Sequence, residues 1–465
     1  MKIPSMNLKG RQEILSNVKY LKNIRPVDVE EIKEYLSETI DLRSIRLEIV
    51  RNAFELGLVE REDGKFTPVS EEPISPKLVS IQGVPEKHIE RLESVLKDRY
   101  GNEWESGGSG DDIRERIREI KKNYYESERV EYNEENSLAY AIYHLPGYYA
   151  AIQYILNKIS KGGLLRRKLR ILDVGAGIGG PALGIVDYLP KDALVEYNVV
   201  EPSDAAEILQ TLMEGKTNNV HLNIYRDTAE EFDPSGVYDI ILLANVISEL
   251  NDPSSVVEKY SEFVSDTGSM ILVEPADKNT AIGLRKVERS IAETMNIYAP
   301  TIRLWQNQVP CSESWSFEVM PDIEIPSFQQ RIDQGGQRKG EFTNVDVQVS
   351  YSILRWDSNT LFEIPKDRSR CVKLSEVGTK IGKRIKIIAV KLSQNLSENE
   401  NPLFLIGDGS EEIDSYAVVV KKTPQNKMIL DADYGRIVLI KGALVLWNDD
   451  EGAYNLVIDK ETIIE

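Results

Sequence analysis

Three glycines at alternate positions, Gly175, Gly177 and Gly179, follow the apolar run Arg170–Val174 and open a helical stretch. Such a turn lets backbone approach a ligand closely and offers it the unpaired N–H groups of a helix N-terminus. Asp173 stands two residues before the first glycine, and the spacing is G-x-G-x-G, not the dinucleotide-type G-x-G-x-x-G. A second acid, Glu201, ends the next strand in VVEPS, 22 residues after Gly179. A carboxylate there can accept hydrogen bonds from both hydroxyls of a ribose. A dinucleotide fits poorly, because Asp173 would stand beside its pyrophosphate. Asn245 and Glu249 lie just beyond the apolar strand Tyr238–Ala244. Asn245 can hydrogen-bond an amine or a carboxylate, and Glu249, one helical turn later, can accept a proton. The competing reading makes Asn245 a helix cap and Glu249 a surface acid. Tyr140, Tyr143, Tyr148 and Tyr149 can close over a base, although aromatics at this spacing equally build a core. Glu274 ends a strand at the edge where ligands gather in open α/β sheets. Gly407-Asp408-Gly409 reads as a tight turn between β segments, not as a second phosphate loop.

The elements that must position these residues alternate. Strands are expected at 170–174, 196–200, 220–225, 238–244 and 269–273, with helices at 180–188, from 205, and at 255–264. Alternation of this kind implies a parallel sheet covered on both faces. A long helix is expected over Ala281–Tyr298, irregular chain over 300–345 and a strand over Asp346–Arg355. Ahead of this core, residues 1–70 read as helix, helix and hairpin, a winged-helix-like module. Asp41 caps a helix running through Glu55 to Gly57, and Asp63-Gly64 turns the hairpin. Residues 71–135 read as a helical linker region in which Glu105–Asp111 is a flexible glycine-serine run, and Pro146 separates two helices. After about Lys373 five short strand candidates suggest a small barrel of the oligonucleotide-binding type. The division expected is 1–70, 71–135, 136–365 and 370–465.

The 465 residues suggest about three domains at roughly 150 residues each. Two cysteines exclude a disulfide framework and a four-cysteine metal site, and three histidines without paired spacing argue against a zinc hydrolase. No apolar run reaches the roughly 18 residues needed to cross a bilayer. MKIPSMNLKGRQE lacks the apolar core of a secretion signal, so a cytoplasmic protein is expected. A net charge of −19 argues against nonspecific coating of nucleic acid. The average hides two basic runs: residues 158–170 sit in a stretch of local charge +6, and 366–391 carry +7. Either can be a solvated face or a phosphate contact.

ILDVGAGIGG and VVEPS resemble the first and second motifs of class I S-adenosylmethionine-dependent methyltransferases. The resemblance implies a Rossmann-like α/β core with S-adenosyl-L-methionine as cofactor. By it Asp173, Gly175, Gly177, Gly179 and Glu201 hold the methionine and ribose, Asp227 approaches the adenine amine, and Asn245 meets the methionine carboxylate or a base amine. A dinucleotide-binding domain or an inactive relic is the alternative. AYAIYHLPGYYAAIQYIL, LLANVISEL, ILVEPADKN and GLRKVERSIAE, with VPCSESWSF and YSILRWD, further resemble the small-ribosomal-subunit methyltransferase-like family, pointing to an archaeal member. That similarity spans roughly residues 130–360. Many relatives hold an iron–sulfur cluster on a cysteine group. Here Cys311 stands alone in that region, so no metal cluster is expected. The D/N-P-P-Y/F signature of base-amine methyltransferases is absent. Three functions follow: methylation of a base in small-subunit ribosomal RNA with Asn245 and Glu249 as catalytic residues, a non-catalytic subunit-assembly factor, or a small-molecule methyltransferase. For the first two, the ribosomal partner is expected at 158–170 and 366–391.

Overall fold

The computed structural model describes residues 7–77, 80–126, 131–215, 218–398 and 400–465. The first six residues, part of the stretch read as lacking a signal, lie outside the described residues. Among those described, no helix is long and apolar enough to cross a membrane.

The N-terminal module comprises α1 (Leu8–Leu21), α2 (Val29–Glu34), α3 (Leu42–Arg51), α4 (Ala53–Leu56), β1 (Leu58–Glu60) and β2 (Phe66–Pro68). The Asp41 carboxylate caps α3 by accepting from the Ser44 N–H. The single helix expected from Asp41 to Glu55 breaks at Asn52, whose backbone leaves the helical region. Gly57 then closes α4 in the left-handed conformation. Ile14, Val18, Ile32, Ile45, Ile49 and Phe66 form a core separate from the rest. The module rests on the neighbouring sheet through Ala53 and Val59 against Leu194. The Asn219 side chain adds a two-way hydrogen bond with the Glu60 backbone.

Helices α5 (Glu86–Tyr100), α6 (Gly107–Glu126) and α7 (Glu134–Lys161) follow. Two expectations fail here. The glycine-serine run is no linker, because it forms the start of α6. A Cβ on Gly110 would lie 2.2 Å from the Glu105 carbonyl oxygen, so glycine permits a close chain approach. Arg114 fastens it, donating to the carbonyls of Glu105 and Ile332. Pro146 does not divide α7 either. Proline lacks the N–H that would bond the Ile142 carbonyl, and Gln329 supplies one instead at 2.8 Å.

The central sheet contains β3 (Lys168–Val174), β4 (Leu194–Val200), β5 (Val220–Tyr225), β6 (Tyr238–Ala244), β7 (Val264–Pro275), β8 (Asn296–Ala299), β9 (Glu318–Met320) and β10 (Val347–Arg355). Its order is β5-β4-β3-β6-β7-β10-β8, with β9 also on β10. The first five strands run parallel and β10 returns antiparallel. Strand order reverses between β3 and β6, which opens a crevice beyond their C-terminal ends. Helices α8 (Gly180–Tyr188), α9 (Ala205–Leu212), α10 (Pro253–Ser261), α11 (Lys278–Ile291) and α12 (Ser327–Gln334) complete this part. The helix expected to reach Tyr298 stops at Ile291. Asn296–Ala299 instead pairs with β10, as suits chain leading into Pro300.

The C-terminal strands are β11 (Arg384–Lys391), β12 (Leu403–Gly407), β13 (Ser415–Val419), β14 (Ile437–Asn448), β15 (Ala453–Ile458) and β16 (Ile463–Ile464), with α13 (Met428–Asp431) between β13 and β14. The order β11-β12-β13-β15-β14 closes on itself through β14 and β11; β13 and β15 pair in parallel, and β11 with β12, β12 with β13, β14 with β15 and β11 with β14 pair antiparallel. This is a five-stranded Greek-key barrel of the oligonucleotide-binding type. Segment 300–316, irregular in sequence, is its socket. Trp305 Nε1 donates to Asp408 at 2.6 Å, and Ser312 and Ser314 donate to Glu411 and Asp414. The Gly407-Asp408-Gly409 turn directs two N–H groups at the Glu411 carboxylate, at 2.9 and 2.8 Å.

Candidate active site

A cavity of about 580 Å³ lies in the crevice beyond β3 and β6. Its floor is the glycine turn, where Gly175 and Gly179 have φ of +68° and +82°. A Cβ on Gly175 would lie 2.6 Å from the Val246 side chain, and one on Gly179 2.7 Å from that of Leu209. The turn is therefore restricted to glycine by both conformation and space. Glu201, at the end of β4, ties the turn down: its carboxylate accepts from the Gly177 N–H at 2.8 Å. The other oxygen accepts from the Ser203 N–H and hydroxyl at 2.9 and 2.5 Å. Both Glu201 and Ser203 line the cavity.

Asn245 and Glu249 enter from the end of β6. Asn245 takes the left-handed conformation, φ +57°. Its amide nitrogen lies 3.4 Å from the Tyr140 hydroxyl, and its buried carbonyl oxygen has no partner among the described residues. It is not the cap of α10, a role taken by Asp252. Glu249 lines the cavity and accepts from the Tyr132 hydroxyl at 3.0 Å. Beneath this segment lies Glu274, fully buried, which accepts from the Ile247 N–H and the Ser248 hydroxyl, each at 2.9 Å. Burial pushes the Glu274 carboxyl up to about 8, against the pull of these bonds. Glu274 thus sets the loop that carries Asn245 and is not itself part of the wall.

Two expected ligand contacts need correction. Asp173 is buried under the turn, where it accepts from the Tyr197 hydroxyl at 2.7 Å and forms no wall of the cavity. Burial pushes its carboxyl up to about 7. Asp227 is exposed, and the cavity wall is built from Thr228, Ala229, Glu230 and Glu231 instead. The Thr228 hydroxyl accepts from the Glu231 N–H, which turns that segment inward. Of the four tyrosines, Tyr140 and Tyr148 line the cavity. Tyr143 instead packs under the Lys121 ammonium, and Tyr149 bonds Asp187. Tyr132 and Pro181, also in the wall, carried no sequence signal of their own.

Half of the basic run 158–170 is committed, and Lys161, Arg166 and Lys168 are exposed. Lys158 pairs with Glu318, Arg167 with Asp192, and Arg170 with Glu55 and Glu196. In 366–391, Arg384 pairs with Asp459 and Glu461, and Lys391 is buried, whereas Lys366, Arg370 and Lys383 are exposed. Among the described residues no group of three or more His, Cys, Asp or Glu is placed to hold a metal ion.

Residues 143–315 match the family model for a methyltransferase domain. Residues 11–62 match the N-terminal domain, and 375–465 the C-terminal domain, of the domain of unknown function DUF8157. The ubiquinone biosynthesis O-methyltransferase of Rickettsia akari is 24% identical over 217 residues, 45% of this chain and 80% of that protein. A highly reducing polyketide synthase of Gibberella zeae is 29% identical over 159 residues, 32% of this chain; the match spans 6% of the synthase. Among solved structures, a putative RNA methyltransferase of Pyrococcus horikoshii shares 15% identity at TM-score 0.29, covering 46% of this chain and 86% of its own. The plantazolicin methyltransferase BpumL shares 12% at 0.29, covering 58% and 98%. The residues present suit an adenosyl cofactor: a glycine floor and a carboxylate with capacity left for a ribose hydroxyl. The crevice at the strand reversal, its glycine floor and the family match over it make residues 143–315 a class I S-adenosylmethionine-dependent methyltransferase domain.

Proposed function

We propose that this protein methylates a base nitrogen in RNA, with small-subunit ribosomal RNA as its target, as in the ribosomal methyltransferase-like family its motifs resemble. The observation that carries this reading is Asn245, whose carbonyl oxygen is buried in the crevice with no protein partner among the described residues. That oxygen is placed to accept an N–H of an exocyclic amine and orient its lone pair. Bound S-adenosylmethionine supplies an electrophilic methyl group. Glu249, tethered by Tyr132, is the acceptor for the proton the amine sheds. Tyr140 and Tyr148 exclude water from the crevice walls. The flanking winged-helix-like and barrel modules favour a polymeric substrate over a small molecule. The exposed Lys366, Arg370 and Lys383 offer phosphate contacts.

The test is transfer of labelled methyl groups to purified small subunits, intact or ribonuclease-treated. Label is expected in RNA and is lost in Asn245→Ala with subunit binding retained. Subunit binding without label would instead make the protein an assembly factor, a reading the missing D/N-P-P-Y/F signature favours.

A further inference from the structure

A second cavity, about 520 Å³, adjoins the first and shares Tyr148 with it. One wall is the face of α7 carrying Tyr140, His144 and Tyr148 at four-residue intervals. Tyr140 and His144 are stacked with centroids 4.6 Å apart and planes 29° off parallel; His144 and Tyr148 follow at 6.3 Å and 28°. This ladder of rings starts in the cofactor cavity and ends in the second one. Opposite stand Trp315 and Phe317, centroids 5.4 Å apart. Trp315 is 37% exposed, yet its indole N–H is pinned to the Ala276 carbonyl at 2.8 Å. An exposed but anchored indole is a preorganised stacking surface, because it loses little freedom on binding. The polar lining is Asp277, Asn344, Asp346 and Gln348, and no lysine or arginine among the described residues borders the cavity. Such a lining accepts N–H groups and rejects phosphate.

We propose that this second cavity receives the heteroaromatic ring of the methyl acceptor, a nucleobase bearing an exocyclic amine, stacked on Trp315. The proposal rests on the reading of a base as methyl acceptor and names where that base sits. The phosphates of the strand remain outside, and the acceptor-rich rim prefers adenine or cytosine to uracil.

The test reads binding and not turnover. The protein is saturated with S-adenosylhomocysteine, which fills the first cavity, and titrated with adenosine, cytidine or uridine, and separately with a single-stranded RNA oligonucleotide. Saturable binding of an amino-bearing nucleoside, tighter than uridine, is expected. Trp315→Ala should weaken it by about 5- to 150-fold, the range for loss of one base-stacking partner. Trp315→Phe should keep most of it, and affinity for S-adenosylhomocysteine should not change. The same loss with the oligonucleotide places the base in a strand; loss with nucleosides alone points to a free substrate. The assignment is overturned if wild type binds no nucleoside at millimolar concentration, or if Trp315→Ala and Phe317→Ala bind as wild type does. Methyl transfer to RNA persisting beside that result would remove this cavity and leave the activity standing. Trp315-dependent nucleoside binding without transfer would do the reverse.

Discussion

Alanine at Glu201 tests the cofactor site through a count of acceptor positions. A carboxylate offers about four lone-pair sites. Three are occupied here, by the Gly177 N–H on one oxygen and by the Ser203 N–H and hydroxyl on the other. One remains, so Glu201 takes one ribose hydroxyl while Ser203 keeps its bond, not the two that its position in VVEPS suggests. A hydrogen bond to a charged acceptor contributes about 1.5–3 kcal/mol. Glu201→Ala should therefore weaken S-adenosylhomocysteine binding by about 10- to 150-fold. Release of the Gly177 N–H loosens the floor as well, which moves the loss toward the upper figure. Ser203→Ala frees a second lone pair and should hold or tighten the affinity. Calorimetric titration of both variants, with folding checked by circular dichroism, measures these changes. A dissociation constant for Glu201→Ala within twofold of wild type would refute the assignment, and a tenfold loss in Ser203→Ala would refute the acceptor count.

Burial raises the Asp173 carboxyl to about 7, whereas an unfolded aspartate ionises near 4. Between those values the unfolded chain sheds a proton that the native state keeps, so stability falls as pH rises through the window. Asp173→Asn should flatten the decline in melting temperature between pH 5 and pH 8; parallel curves for the two proteins would contradict this. Gly175→Ala forces a side chain to φ +68° and into Val246, and should cost about 1–3 kcal/mol in denaturant unfolding as well as weaken cofactor binding. An unchanged unfolding midpoint would show that the turn relaxes freely. Gln329→Ala orphans the Ile142 carbonyl in α7 and should cost about 1–3 kcal/mol. Adding Pro146→Ala restores the helical N–H, and failure of that rescue would disprove the account of the proline.

What was legible in the sequence follows how local the cause is. The G-x-G-x-G turn, Glu201 at a strand end, the Asp63-Gly64 hairpin and the five barrel strands each depend on a few adjacent residues, and each is where its pattern implies. The misread features have distant causes. The run at Gly107–Gly110 has the composition of a linker, but Gly110 serves a close approach to Glu105 secured by Arg114. Pro146 has the signature of a helix break, but the missing bond is supplied by Gln329, 187 residues from Ile142. Asp173 and Glu201 are both acids in strand-end motifs. Only their surroundings make one an internal partner of Tyr197 and the other a wall.

Charge runs also depend on residues distant in sequence, and this bears on where RNA would lie. Glu55, Asp192, Glu196 and Glu318 pair with three of the six cations in 158–170, so a local count overstates the field. The barrel shows the converse. Its closure brings the β14–β15 loop, with Asp449, Asp450 and Glu451, to one end, and the β11–β12 loop carries Glu398 and Glu400. Trp447, an exposed aromatic of β14, already donates to Asp449 and lies edge-on to Tyr454 at 4.9 Å. Phosphates within a Debye length of about 8 Å would meet these acids first. The proposed strand contact therefore rests on the exposed Lys366, Arg370 and Lys383, the last of which pairs with Val445 on the approach to the β14–β15 loop. Replacing these three by alanine should lower the salt dependence of RNA binding by about 0.7 for each single-strand phosphate that is no longer neutralised. Replacing Trp447 should leave that slope unchanged. A slope that follows Trp447 and ignores the three cations would place the RNA on the strand carrying Trp447 and overturn this assignment.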